Sequence, residues 1–241
     1  MEPTAPDREA FSDDRPSGGV PRIADVPAPR RTKGGLGPLF AWAFDWPYRF
    51  LLAGLYRAGV RPWQLTALSL VANVVIGWLI ISGHFFVPGL LLIAAGLLDI
   101  FDGGVARLRG EASRWGAFLD SVVDRISDLV LFGCIYWALS GQGERLGAAL
   151  ALTSLIATLL VSHIRAEAEA AALELTEGLM QRLERYVALM VALIVPRAMV
   201  PVLAILTVLG FLTAIQRLWV AWRQTRPAAA VHRTEGRREE E

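Results

Sequence analysis

The sequence predicts an all-α integral membrane protein, in which a bundle of six transmembrane helices follows an amphipathic helix at the membrane interface. Hydrophobic residues make up 54% of the 241 residues, and the mean hydropathy of +0.43 is too high for an ordinary soluble domain. Six apolar segments can be distinguished, most of them close to the roughly 20 residues that a spanning helix needs. Tryptophans lie at the ends of these segments, as in an aromatic belt: Trp63, Trp78, Trp115, Trp137, Trp219 and Trp222. The apolar segments predict the lipid bilayer as a partner. The net charge of +1 argues for no particular partner, and we expect no nucleic acid.

The two ends of the chain differ from its middle in composition. Residues 1–34 are rich in Pro, Gly and charges of both signs, with too few large apolar side chains for a core, and this predicts a disordered tail. The same stretch lacks the apolar region of a signal peptide. A second disordered tail is predicted for residues 225–241, so that residues 35–224 form one membrane domain.

The amphipathic helix is predicted between Leu39 and Tyr56. Aromatic and aliphatic residues dominate this stretch and charged residues interrupt and flank it, which suits a helix lying in the interface. Pro47 is expected to bend or restart the helix. A soluble docking helix is the alternative interpretation.

The six apolar segments follow in order along the domain. They cover approximately residues 64–82, 85–105, 115–139, 146–163, 183–195 and 198–219. The fifth segment is short, and Pro196 and Pro201 interrupt its junction with the sixth. No internal repeat is visible, and the short loops favour a single bundle.

The distribution of basic residues predicts the orientation of the bundle. The loops at 82–84 and 140–147 contain one arginine between them, whereas basic residues gather before the first segment, at 107–114, at 165–185 and after Arg217. By the positive-inside rule, both termini and the loop at 107–114 face the cytoplasm. We therefore expect a multi-pass protein of the plasma membrane.

Four aspartates stand at the inner ends of the second and third segments: Asp99, Asp102, Asp120 and Asp124. An ionised carboxylate in such a position is costly unless it has a partner. The members of each pair are three or four positions apart, so each pair shares one face of a helix. With a chain reversal near Glu111, Asp102 lies nine positions before the turn and Asp120 nine positions after it. Matched separations mean matched depths on antiparallel helices, and we expect the four carboxylates to face one another across a helical hairpin.

This group of carboxylates predicts a metal site. Hard oxygen ligands suit Mg²⁺ or Mn²⁺, and two such ions bridging a diphosphate are a recurrent arrangement for in-line displacement at phosphorus. A structural network of ion pairs is the alternative. It is disfavoured because Arg107, Arg109 and Arg125 are too few to neutralise four acids inside a hairpin.

Small residues beside Asp102 predict a surface that a ligand can approach. Gly103 and Gly104 leave the backbone bare, and Ala106 lies one turn further along the same face. Arg107 adds a permanent positive charge that can bind a phosphate in two places. The stretch therefore combines metal ligands with a phosphate-binding side chain.

The same stretch carries a family resemblance. It reads D-x-x-D-G-x-x-A-R, eight further residues, then G-x-x-x-D-x-x-x-D, and it matches without a gap the signature of the CDP-alcohol phosphotransferases. The matching positions are Asp99, Asp102, Gly103, Ala106, Arg107, Gly116, Asp120 and Asp124. Eight fixed positions within 26 residues make a highly specific signal.

The resemblance implies a six-helix membrane core, usually dimeric, that transfers a phosphatidyl or related group from a CDP-linked donor to an alcohol and releases CMP. It implies that Asp99, Asp102 and Asp120 hold two divalent ions. Asp124 would lie near the metals and take the proton of the acceptor hydroxyl. The residues implied for binding the donor, CDP-diacylglycerol, are Gly103, Ala106, Arg107, Gly116 and Thr66. For Thr66, a structural role at the start of a helix is the alternative.

Two further stretches, 162–169 and 181–185, resemble the acceptor pocket of actinobacterial phosphatidylinositol phosphate synthases. Their candidate ligands for a phosphorylated polyol are Ser162, Arg165 and Arg185, since a guanidinium binds phosphate bidentately. The sequence departs from the pattern at Glu167, where those enzymes carry a second basic residue, and at Leu183, which replaces a proline. The alternative is that these arginines only set the membrane topology.

Inositol phosphate is therefore the predicted acceptor, ahead of glycerol 3-phosphate, which would make the protein a phosphatidylglycerophosphate synthase. An ion-coupled transporter would need charged residues along a path through several helices, and the later segments contain almost none. A catalytically inactive scaffold would be expected to lack part of the motif, and all four aspartates are present. The sequence thus predicts a metal-dependent, homodimeric transferase of phospholipid biosynthesis.

Overall fold

The computed structural model describes residues 37–175 and 182–225, with side chains described from Asp45 onward and, after the gap, from Leu183 onward. Every regular element in this part of the chain is helical, which confirms the all-α class. The helices are α1 (Gly37–Arg57), α2 (Pro62–Ile81), α3 (Phe86–Arg109), α4 (Arg114–Gly141), α5 (Arg145–Ala170), α6 (Arg182–Ile194) and α7 (Met199–Thr225). Apart from Thr225, the two predicted disordered tails lie outside the described residues.

The helix ends follow local sequence signals. Pro62 occupies the first turn of α2, where its missing N–H is not needed, and the Gln64 side chain accepts a hydrogen bond from the Arg61 N–H at 2.8 Å. Gly110 ends α3 with a φ of 65°, a left-handed conformation that favours glycine. Ser113 then caps α4 by accepting from the Gly116 N–H at 3.1 Å. The reversal between α3 and α4 therefore falls where the sequence predicts it.

Prolines have different effects in α1 and before α7. The α1 helix is continuous through Pro47, so this proline does not restart it. At the other end of the domain, α6 ends at Ile194 and a 3-10 turn, Pro196–Ala198, separates it from α7. Pro196 thus ends a helix, as expected for a residue that cannot donate to the preceding turn.

Four of the described helical stretches are long and apolar enough to cross a membrane: α2, α3, α5 and Pro196–Thr225. The α4 helix is long but carries several charged residues, and α6 has only 13 residues. The length and composition of the helices therefore support several membrane spans. The predicted number of six spans remains a prediction.

Helices α2 to α7 pack in a closed ring. In order around the ring, α3 packs on α2, α2 on α4, α4 on α5, α5 on α7, α7 on α6, and α6 on α3. The α1 helix packs on α3. The helices α3 and α4 are consecutive in the chain, and both pack on α2. The α2 helix therefore contacts both arms of the predicted hairpin.

One part of the ring interior is filled by a single apolar core. Its members include residues that are no more than 1% exposed, contributed by most helices of the ring: Ile76, Ile80, Leu92, Leu131, Phe132, Ile135, Leu189, Leu193 and Leu203. Close packing of this kind holds helices together even where lipid surrounds them, because dispersion contacts between helices replace looser ones to lipid chains. The core thus fixes the helices that continue into the acidic site.

Large apolar side chains also cover the outer surface. Five of the six tryptophans predicted for the aromatic belt are more than half exposed: Trp63, Trp78, Trp115, Trp137 and Trp219. The described helices thus present tryptophan outward at their ends and keep it out of the core. Such a surface suits a lipid environment better than water.

Candidate active site

Three of the four predicted acids converge in the structure. Asp99 on α3 and Asp120 and Asp124 on α4 each place one carboxylate oxygen within 4.8 Å of the other two. Two oxygens bound to one Mg²⁺ lie at most about 4.2 Å apart, since each bond is about 2.1 Å long. Only small side-chain movements are therefore needed for the three residues to share an ion, and a set of carboxylate oxygens is the donor set that Mg²⁺ or Mn²⁺ prefers.

Asp102, the fourth acid, is held by α2. It is buried, and the Thr66 hydroxyl donates a hydrogen bond of 2.8 Å to its Oδ2. Asp102 still lies close enough to Asp99 and Asp120 for their charges to act on it. Thr66 also contacts the Pro62 carbonyl at 3.3 Å, as a threonine near a helix start often does. Its observed partners are thus an acid of the motif and its own helix, and its role at the donor remains a prediction.

The two adjacent glycines of the motif face different surroundings. A Cβ atom built on Gly103 would meet only the Arg107 guanidinium, with Nη1 at 3.3 Å. A Cβ atom on Gly104 would lie 2.5 Å from the Tyr48 hydroxyl oxygen and 3.0 Å from Leu52 of α1. The expectation that Gly104 leaves backbone free for a ligand is therefore wrong, because α1 fills that space. Gly103 alone keeps the predicted open face.

We expect Gly104→Ala to lower the free energy of unfolding by about 1–3 kcal/mol, because overpacking against Tyr48 exceeds the gain in helix propensity of up to about 1 kcal/mol. Thermal unfolding of the protein in detergent measures the effect. Gly103→Ala is the matched control and should leave stability equal or higher, since the flexible end of Arg107 can move. Equal losses of stability in Gly104→Ala and Gly103→Ala would contradict the packing argument. Adding Tyr48→Phe should restore part of the stability lost in Gly104→Ala and should not stabilise Gly103→Ala.

Other residues predicted for the donor are placed as follows. Ala106 and Arg107 are half-buried on the last turns of α3, on the side of the loop that joins α3 to α4. Gly116 is exposed, and its N–H donates to Ser113 as part of the cap of α4. A structural role in the cap is thus visible for Gly116, while contact with a donor remains a prediction.

The residues predicted for the acceptor differ in burial. Arg185 on α6 is buried, whereas Arg165 on α5 is exposed and pairs with Glu169 at 2.7 Å. Ser162 is half-buried on α5. Glu167, the unexpected acid in this stretch, has a side chain that is 70% exposed, so it does not place a buried negative charge beside Arg185.

Sequence reasoning missed one buried acid beside the motif. Asp128 on α4 is 3% exposed, and both of its carboxylate oxygens accept from Nη2 of Arg185, at 3.0 and 3.4 Å. The available signal was its spacing, because Asp128 follows Asp124 as Asp124 follows Asp120 and therefore shares their helix face. The partner on α6, 57 positions away, carries no such signal.

Apolar helices around a cluster of carboxylates are typical of a metal-dependent membrane enzyme. A model of the CDP-alcohol phosphatidyltransferase family matches residues 60–219, which include the entire acidic site, and the chain belongs to this family. It is accordingly a transferase, its cofactor is a divalent ion, Mg²⁺ or Mn²⁺, and the transporter alternative is excluded.

Curated relatives support this assignment. The chain is 33% identical over 190 residues to a phosphatidylinositol phosphate synthase of Mycobacterium marinum, a match that covers 74% of this chain and 80% of the relative. It is 34% identical to the corresponding synthase of Mycobacteroides abscessus, over 57% of this chain and 63% of that relative's length. An archaetidylinositol phosphate synthase of Methanothermobacter thermautotrophicus is 35% identical over 148 residues, 59% of this chain and 73% of the relative.

Solved structures agree with the fold. The Mycobacterium tuberculosis phosphatidylinositol phosphate synthase with CDP-DAG bound superposes with a TM-score of 0.67 at 31% identity, covering 74% of this chain and 94% of that one. The same enzyme in complex with manganese and citrate gives a TM-score of 0.66 at 31% identity, covering 74% and 89% of the two chains.

Proposed function

We propose that this protein transfers a phosphatidyl group from CDP-diacylglycerol to inositol phosphate and releases CMP. The observation that carries the proposal is the convergence of Asp99 on α3 with Asp120 and Asp124 on α4. The relatives support both substrates, since they are phosphatidylinositol phosphate synthases and one solved structure contains CDP-DAG.

The roles proposed for the acids are those that the family signature implies, and their positions support them. Asp99, Asp102 and Asp120 hold two divalent ions, and the hydrogen bond from Thr66 keeps the Asp102 carboxylate in one orientation. When bound, the ions supply positive charge that neutralises the diphosphate and the departing CMP. Gly103 lets the nucleotide approach α3 closely, and Arg107 donates hydrogen bonds to the diphosphate.

Proton transfer is assigned to Asp124. Its carboxylate accepts the proton of the acceptor hydroxyl while the hydroxyl oxygen forms a bond to the phosphorus that carries the lipid. The bond from this phosphorus to the CMP oxygen breaks, and CMP leaves with the electron pair. The chain's main contribution is to hold donor and acceptor in line, which removes the entropy cost of bringing them together during the reaction.

The acceptor phosphate is assigned to Arg185, with Arg165 and Ser162 nearer the opening of the site. The buried position of Arg185 supports this order, because a charge-assisted hydrogen bond is stronger where water is excluded. The exposure of Glu167 supports inositol phosphate as well, since the acid does not oppose an anion inside the ring.

Release of CMP tests the proposed reaction. Purified protein is supplied with CDP-diacylglycerol, Mg²⁺ and, in parallel, inositol phosphate, glycerol 3-phosphate or unphosphorylated inositol. Inositol phosphate is expected to give the fastest release. Faster release with glycerol 3-phosphate would assign the protein as a phosphatidylglycerophosphate synthase, and release with inositol alone would remove the need for a phosphate anchor.

The membrane arrangement is part of the same proposal. All six helices of the ring span the bilayer of the plasma membrane, α1 lies in the interface, both termini and the acidic site face the cytoplasm, and two copies form a dimer. The position of α4 and α6 between apolar neighbours in the ring supports six spans. The gathering of arginines on alternate loops supports the orientation.

We expect cysteines at His84 and Glu144 to react with an impermeant maleimide added to intact cells, and a cysteine at Glu111 to react only after permeabilisation. All three positions are exposed, and Cys134→Ala provides a background without the native thiol. These positions avoid Gly83 and Gly143, whose positive φ angles of 84° and 78° would strain a cysteine. The opposite labelling pattern would refute the orientation.

A further inference from the structure

The pair formed by Asp128 and Arg185 crosses the interior of the ring. The α4 helix packs on α2 and α5, and α6 packs on α3 and α7, so the two residues come from helices that are not neighbours in the ring. Their side chains meet at 3.0 Å and are 3% and 10% exposed. An ion pair in this position costs desolvation free energy that a pair of apolar residues would not, so stability alone is a weak reason for its presence.

The pair lies at the boundary between the acids and the apolar core. Asp124 precedes Asp128 by one turn of α4, about 6 Å along the helix axis. One turn beyond the pair, Phe132 on α4 and Leu189 on α6 are fully buried in the core. The guanidinium therefore lies between the level of the metal ligands and the apolar core.

The guanidinium retains donors for a second partner. Asp128 takes hydrogen bonds only from Nη2, while Nε is buried and has no acceptor among the described residues. A guanidinium has five N–H donors in a fixed plane, so one carboxylate leaves several of them available. By fixing one edge of the plane, Asp128 determines the direction in which the remaining donors point.

We infer that Asp128 is a positioning residue, which orients Arg185 so that its remaining donors bind the phosphate of the acceptor. The inference rests on the proposed function, because it assumes that Arg185 binds the acceptor phosphate in that reaction. Asp128 touches neither donor nor acceptor. Its effect should therefore be confined to acceptor binding and should disappear when Arg185 is absent.

Steady-state kinetics of Asp128→Asn test this inference. The variant keeps the size of the side chain but removes the charge that fixes Arg185, and we expect the KM for inositol phosphate to rise about tenfold, with kcat and the KM for CDP-diacylglycerol changed less than about threefold. Asp128→Glu keeps the charge and shifts the carboxylate by one methylene, so it should give an intermediate KM. If Asp128→Asn does not fold, the acceptor KM of Asp128→Glu tests the inference instead. An acceptor KM equal to that of the wild type would overturn it.

A double-mutant cycle with Arg185→Ala separates positioning from a general structural effect. If Asp128 acts only through Arg185, then Asp128→Asn adds no further increase in acceptor KM to the Arg185→Ala variant. If the double variant instead raises the acceptor KM by the product of the two single-variant factors, the inference is overturned. Ser154→Ala is the matched control: Ser154 is also buried and bonds across helices, to the Leu203 carbonyl at 3.0 Å, but it lies between α5 and α7 and should not change the acceptor KM.

The wild-type reaction distinguishes the failure of this inference from failure of the proposed function. If the wild type releases no CMP with inositol phosphate but does so with glycerol 3-phosphate, the proposed acceptor is wrong, and the same cycle is measured with glycerol 3-phosphate. If the wild type uses inositol phosphate and Asp128→Asn keeps its KM, only the inference is wrong. If only unphosphorylated alcohols react, both are wrong.

Discussion

Replacing Asp120 by asparagine is expected to lower kcat by at least about a thousandfold, because a metal ion supplies several kcal/mol of charge stabilisation and about 4 kcal/mol corresponds to that factor. Asp120 is one of the three carboxylates whose oxygens lie within 4.8 Å of one another. Removing its charge weakens the affinity of the site for a divalent ion. CMP release at increasing Mn²⁺ concentration measures both the rate and the metal requirement.

The same variant should fold normally. In the absence of metal, three clustered carboxylates repel one another, so Asp120→Asn in excess chelator should unfold at the same temperature as the wild type or higher. The stabilisation that Mn²⁺ gives the wild type should be largely lost, since stabilisation by a ligand follows its affinity. Asp45→Asn is the matched control, because Asp45 lies on α1, outside the acidic motif, and pairs with Arg49 at 3.0 Å. Wild-type activity in excess chelator would rule out the metal-dependent mechanism.

Arg185→Ala is expected to raise the acceptor KM about tenfold to a hundredfold, equivalent to about 1.5–3 kcal/mol for one charge-assisted contact with phosphate. The KM for CDP-diacylglycerol should stay near its wild-type value. The variant should also lose about 3–5 kcal/mol of stability, because it leaves the Asp128 carboxylate buried without its cation. The double variant Arg185→Ala/Asp128→Asn removes this charge and should regain stability without regaining acceptor affinity.

Arg165→Ala provides the comparison for Arg185. Both arginines are predicted acceptor ligands from the sequence, but the Arg165 side chain is 65% exposed and pairs with Glu169 at 2.7 Å. An exposed pair of this kind contributes little to stability, and water weakens its contact with an anion. We therefore expect the acceptor KM of Arg165→Ala to rise by less than that of Arg185→Ala. An equal or larger effect at Arg165 would place the acceptor phosphate near α5 and away from Arg185.

The acidic motif shows how far local patterns determine a site. The spacing of Asp120 and Asp124 places them on one face of α4, and the turn near Glu111 brings Asp99 to the same depth, so the convergence of the three carboxylates is predictable from the sequence. The hydropathy and the length of the apolar segments also predict the all-α class and the order of the helices, because hydrogen bonds within a helix connect only nearby residues.

The sequence by itself determined the helices, the acidic motif and the family, since all three are properties of consecutive residues. The tertiary structure alone decided which helices meet. It turned Asp102 toward Thr66, 36 positions away, filled the space beside Gly104 with α1, and joined Arg185 to Asp128 across the ring. Two apolar helix faces can pack on many partners with similar free energy, and the order of the ring depends on the fit of all side chains at once. No local pattern therefore predicts these contacts, and they are the ones that distinguish the buried Arg185 from the exposed Arg165.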